Sequence, residues 1–147
     1  MKTDLVVAGY IIHDNKVLLI HHKKLSLWLP VGGHIEKDET PDEAMVREAK
    51  EEVGIDIEIR NRSELPFGKN VKKNLAVPFH VNVHSAGDHD HCCFFYLCSC
   101  KDKNLEINTN EVNGSQWFSS EELKDEKVPL DVRHIAWKAL EMHDASK

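Results

Sequence analysis

No stretch of this chain is long and apolar enough to be a membrane span or the core of a signal peptide. The apolar run that follows Met1 is broken by Tyr10 and His13. A basic stripe is also missing, and the formal net charge is −6 with histidines neutral. A nucleic-acid duplex is therefore not expected as the main partner, whereas a small phosphorylated ligand is not excluded, because bound metal ions invert the local sign of charge. Internal repeats, low-complexity tracts and Gly/Ser/Pro-rich linkers are absent, so residues 1–147 are expected to form one domain. Cysteine is scarce and confined: Cys92, Cys93, Cys98 and Cys100 all lie in one apolar run, where neighbours on a strand are poorly placed to bridge each other. Reduced thiols, a cytoplasmic location and no membrane association are the expectations. Sequence pattern leaves the oligomeric state open, a homodimer included.

What is present reads as strands interleaved with two helices. Leu5–His13 and Val17–His22 are rich in β-formers and are separated by the turn residues Asp14 and Asn15, which predicts a hairpin. Trp28–Val31 reads as a short strand broken by Pro30, and Gly32–Gly33 as a flexible loop with unusual dihedrals. The next helix is well marked. Thr40 suits the N-cap, Pro41 the first helical position, Glu43 a capping box and Gly54 the C-terminal stop, with Met45, Ala49 and Val53 as its apolar stripe. Ile55–Ile59 and Val77–His84 alternate as half-buried strands around a loop at 61–76. Cys92–Cys100 is apolar on both faces, as in a central strand, and Gln116–Phe118 forms a short one. Ser119 or Ser120 caps a helical turn, and Leu130–His143 forms a closing amphipathic helix. The expected fold is α+β, a mixed sheet between helices.

The predicted first helix carries Glu48, Glu51 and Glu52 at spacings that bring them to one face. Three like charges there repel unless a cation joins them, and Lys50 lies on a different face. A hard divalent cation with oxygen ligands is the natural counter-charge.

The full pattern is Gly33, five residues, Glu39, seven residues, Arg47-Glu48-Ala49, one residue, Glu51-Glu52, one residue, Gly54-Ile55. It resembles the signature of the Nudix hydrolase family at every fixed position, Trp117-Phe118-Ser119 followed by Glu121-Glu122-Leu123 extends the likeness beyond the box, and Glu111, six residues before Trp117, is similar to the MutT-like type. The resemblance implies an α/β/α sandwich and hydrolysis of a nucleoside diphosphate linked to another group, with Mg²⁺ or Mn²⁺ required. It makes Glu48, Glu51, Glu52 and the Gly32 carbonyl metal ligands, and Arg47 an orienting partner of Glu39 or Glu48. Glu111 is carried over as an extra ligand. Glu39 either holds the loop or takes part in catalysis. The general base is left open among Glu51, Glu52, Glu111 and the 85–91 loop.

Substrate recognition lies outside this box. A nucleoside triphosphate, cleaved to monophosphate and pyrophosphate, is the preferred reading, resting on small size and on Glu111. ADP-ribose and dinucleoside polyphosphates are the alternatives, and a nucleotide-binding module without turnover is disfavoured because every position of the box is filled. Lys23 and Lys24 are candidates for phosphate contacts, although solvated lysines are the plainer reading. Trp28 and Phe67 could line a nucleobase pocket, with core packing an equal option for Trp28. His89 and His91 alternate onto one face of an extended segment and could point together into the active site. With His80, His84, Cys92 and Cys93 they have zinc-type ligand atoms, but not the paired short spacings of a zinc centre.

Overall fold

The apolar run near the N-terminus becomes strand β1 (Thr3–His13), the spine of an eight-stranded mixed sheet. The computed structural model describes residues 1–145; residues 146 and 147 of the expected domain lie outside the described residues. β1 pairs parallel with β7 (Asp90–Ser99) along ten register positions from Thr3↔Asp90 to Ile12↔Ser99. Its other edge is shared. β2 (Lys16–His22) pairs antiparallel with it only at Ile12↔Val17 and His13↔Lys16, beside the Asp14–Asn15 turn, where both residues have positive φ. Farther along, β4 (Val31–His34) takes that edge from Val6 to Gly9. β2 has by then moved off to pair with β3 (Trp28–Leu29) and β8 (Val112–Phe118). Pro30, which cannot donate to a ladder, sits between the two strands where the chain changes partners. β5 (Glu58–Ile59) and β6 (His80–Ser85) both pair with β7.

Alternation along β1 sorts the core into two layers. Val7 and Ile11 join Met45, Ala49 and Val53 of α1 (Pro41–Val53), while Val6, Ala8, Tyr10 and Ile12 join Ile135, Ala136 and Ala139 of α2 (Leu130–Ala145). Both faces of β1 are covered, which is why it reads as an unbroken apolar run rather than an alternating one. The result is the expected sandwich of a mixed sheet between helices. α1 ends as read: Thr40 and Glu43 form a reciprocal capping box, and Gly54 closes it at φ 71° in the left-handed region. All four cysteines are free. Among the described residues no helix is long and apolar enough to cross a membrane.

Several expectations need correction. The Gly32–Gly33 pair is not a flexible loop but part of β4, and neither residue has a positive φ. What these positions require is space. A Cβ on Gly32 would strike the Val7 carbonyl oxygen, and one on Gly33 would strike the Glu48 carboxylate. The strand expected over Ile55–Ile59 shrinks to Glu58–Ile59. The alternation of Val77–His84 does not mark a half-buried strand either. β6 is an edge strand with Val81 and Val83 exposed, so the period of two found a strand but not a buried face.

Candidate active site

Where β2 and β4 part company, the sheet opens into a cavity of about 930 Å³. Its wall includes Gly32, Gly33, Glu48, Glu51, Glu52 and Glu111, so the tertiary structure brings the distant Glu111 to the box carboxylates. The lining also includes Tyr10, Leu29, Phe95, Asp131 and Val132, together with His34 and His91.

The first correction to the charge argument is Arg47. Its Nε donates to Glu39 Oε2 at 2.8 Å and its Nη2 donates to Glu39 Oε1 at 3.0 Å, a two-pronged clamp. Nη2 also donates to the His34 carbonyl at 3.0 Å, and Nη1 to Glu48 Oε1 at 2.9 Å and Glu51 Oε2 at 3.2 Å. A cation therefore does stand among the acids, supplied by the box itself. Both Glu39 oxygens are taken, Oε1 also accepting from the Glu36 N–H at 3.0 Å, which makes Glu39 a brace for the loop. The Arg47 fork, with the Glu36 amide second, holds the Glu39 carboxyl down at about 2. Lysine at position 47 would lose this planar fork.

A group whose pKa is depressed on folding adds stability above its unfolded value and loses it as the pH falls through the folded one. Glu39 should thus contribute to an acid limb in stability between about 4.5 and about 2. Thermal melts of wild type and R47K over that range are expected to show the limb reduced in the variant. Identical limbs would dismiss the clamp.

Glu52 differs from its neighbours. It is only 6% exposed, and its Oε1 accepts the Gly32 N–H at 2.8 Å. Burial first, then the charges of Glu48, Glu111 and Glu51, push its carboxyl up to about 8 against the single opposing hydrogen bond. Burial also raises Glu48 above the usual carboxylate range, opposed by Arg47. Among the described residues no cation forms an ion pair with Glu52. A buried carboxylate without one is expensive to ionise. Arg47 occupies one oxygen of Glu48 and one of Glu51, and Gly32 one of Glu52. The second oxygen of each is a hard donor, so this set fits Mg²⁺ or Mn²⁺ and not a soft metal.

The remaining sequence candidates scatter. Lys23 donates from Nζ to the Thr109 carbonyl at 2.7 Å, and its amide donates to the Glu111 carbonyl at 3.4 Å, so it steadies the segment bearing Glu111. Lys24 is exposed and does not line the cavity. Trp28 packs edge-on against Phe118 and His21, on the core side of the two options. Phe67 is exposed, away from the cavity lining. His91 lines the cavity, while His89 stands beside it with the two Nε2 atoms 3.1 Å apart. Sequence reasoning missed His34, Tyr10 and Asp131. A hydroxyl inside an apolar strand was the available signal for Tyr10, whose fully buried OH has no hydrogen-bond partner among the described residues.

Comparison with known proteins gives a consistent picture. The NUDIX domain family model matches residues 3–138. A solved NUDIX-family hydrolase from Clostridium perfringens is 31% identical, with a TM-score of 0.84 over 97% of this chain and 99% of the other. The CTP pyrophosphohydrolase of Escherichia coli (strain K12) is 43% identical over 60 residues, 38% of this chain and 44% of that protein. The chain is thus matched to less than half the length of that relative. An ADP-ribose pyrophosphatase from Streptococcus suis 89-1591 is 21% identical with a TM-score of 0.61, covering 95% of this chain and 91% of that one, and shares the fold.

Proposed function

The chain belongs to the NUDIX domain family, hydrolases of P–O–P bonds, and from that premise we propose that it cleaves a nucleoside triphosphate to the monophosphate and pyrophosphate with Mg²⁺ or Mn²⁺. The observation that carries this reading is that a single cavity is lined both by the four carboxylates and by an apolar wall of Leu29, Phe95 and Val132. One part suits a cation-neutralised polyphosphate, the other a flat base.

Glu48, Glu51 and Glu52 would hold the ion, with Glu111 and the Gly32 carbonyl assigned by family likeness. When bound, the ion supplies charge neutralisation for the phosphates and a more acidic water. The protein's own share is orientation. Arg47 fixes one oxygen each of Glu48 and Glu51, and the Gly32 amide fixes Glu52, so that the remaining oxygens face their task without reorganising. Asp131, beside Val132 in the lining, would accept a hydrogen bond from the base edge.

A substrate panel with products identified by phosphorus NMR tests the reading. At least one triphosphate should exceed ADP-ribose and dinucleoside polyphosphates in kcat/KM by roughly tenfold or more, yielding pyrophosphate, and D131N should raise KM for it by about tenfold. Turnover of ADP-ribose alone, or binding without product, would replace the proposal.

A further inference from the structure

Beside the carboxylate site, a second group of ligand atoms converges that the box does not contain. Asp4, His34, His89 and His91 each offer one donor atom, and all four atoms lie within 4.8 Å of one another. The sheet dictates this meeting. Asp4 stands directly across from His91 in the parallel β1–β7 pair, and His34 stands opposite Val6 on the other edge of β1, two residues from Asp4 and so on the same face. His89 arrives from the turn before β7, where the Ala86 amide donates to the His89 carbonyl at 2.8 Å.

Three of the six donor–donor distances match a tetrahedral coordination shell, and the others lie within 4.8 Å. Bonds of about 2.0–2.1 Å in a tetrahedral site set neighbouring donors about 3.3 Å apart. Here His34 Nε2 is 3.2 Å from Asp4 Oδ2, His89 Nε2 is 3.5 Å from the same oxygen, and His89 and His91 Nε2 are 3.1 Å apart. The proton positions point the same way. His89 Nδ1 is 2.7 Å from Asp88 Oδ1, and a carboxylate only accepts, so Nδ1 carries the proton. In neutral His89 the Nε2 lone pair then faces Asp4 Oδ2 and His91 Nε2, open to accept a hydrogen bond from His91 or to bind a cation. An imidazole oriented by an outer carboxylate is also the usual support of a metal-bound histidine. Asp4 divides its work similarly: Oδ1 faces Lys2 Nζ at 3.4 Å, leaving Oδ2 to the histidines.

We propose that Asp4, His34, His89 and His91 form a second metal site, for a zinc-class transition ion, distinct from the carboxylate site for Mg²⁺. Three imidazoles and one carboxylate select such an ion over Mg²⁺, which prefers oxygen donors. The ion would pin the start of β1, the end of β4 and the start of β7 together at the rim of the cavity that His34 and His91 line. Through the His34 carbonyl, which accepts from Arg47, the site also touches the brace of the box.

Metal binding itself tests this, independently of turnover. Purified chain should take up one Zn²⁺ that excess Mg²⁺ does not displace, and Co²⁺ in its place should give the intense visible bands of tetrahedral coordination. The His89→Gln/His91→Gln pair, and separately D4N, should weaken Zn²⁺ binding at least about a hundredfold while keeping the wild-type far-UV spectrum, since each removes one or two of four ligands. E52Q should keep the site intact. Failure to bind equimolar Zn²⁺, or binding unchanged in these folded variants yet lost in E52Q, would overturn the proposal and leave the carboxylate site untouched.

Discussion

Glu52→Gln is expected to lower Mg²⁺-dependent turnover by about a thousandfold and, at the same time, to make the metal-free protein more stable at pH 8. The first effect follows from losing an ionised oxygen among few ligands, a loss comparable with deleting one preorganised electrostatic group. The second follows from burial. Glu52 has its pKa raised from 4.5 to about 8, so its protonated form favours the folded state. The sign is definite: this contribution is fully present below about 4.5 and is lost as the pH climbs through about 8. Metal-free wild type should therefore melt progressively lower across that interval, whereas the amide, which retains an oxygen for the Gly32 N–H, should not share the decline. A gap of about 3–8 °C at pH 8 is the expected size. Mg²⁺ should close the gap by stabilising wild type and not the variant. Calorimetry at several pH values, with and without Mg²⁺, reads all of this together. Undiminished turnover would remove Glu52 from the site, and parallel melting curves would mean that its burial carries no electrostatic cost.

Adjacent glycines should behave in opposite ways. Gly32→Ala places a Cβ against the Val7 carbonyl oxygen and 2.8 Å from Ala8 Cα, backbone atoms of the central strand that cannot move aside. About 3 kcal/mol or more of stability should be lost, seen as a lower urea midpoint and poor soluble yield. Gly33→Ala meets instead the end of a side chain, the Glu48 carboxylate, which can swing away. Stability should fall by about 1 kcal/mol or less, while turnover drops by about a hundredfold because Glu48 leaves Arg47 Nη1 and its place among the ligands. Equal stability losses in the two variants would contradict the steric account of β4.

Local signals carried α1 far. Its cap, first-turn proline, apolar stripe and C-terminal glycine act within one or two turns, so each could be read from neighbours in sequence, and the box rides on that helix. The same locality explains the failures. Gly32 and Gly33 suggested flexibility because the reason for their small size lies in Val7 and Glu48, residues from other elements. Val81 and Val83 alternate as buried residues do, yet nothing in the chain near them states that β6 lies at an edge. His80, His84, His89, His91, Cys92 and Cys93 offered zinc-type ligand atoms without the paired spacings of a zinc centre. The side chains that do converge on His89 and His91, Asp4 and His34, come from β1 and β4 and are distant in sequence.

Alone, the sequence determined the helix, the order of the acids upon it and the P–O–P chemistry that their family pattern implies. Those depend on spacings of three, four and seven residues that survive in any context. Only the tertiary structure decided which acid is buried and cation-starved, that Arg47 takes both oxygens of Glu39, that Glu111 reaches the cavity, and that Asp4, His34 and His91 from three strands meet His89 from the turn before β7. These are properties of burial and of strand register, which arise only when segments distant in the chain exclude water from one another.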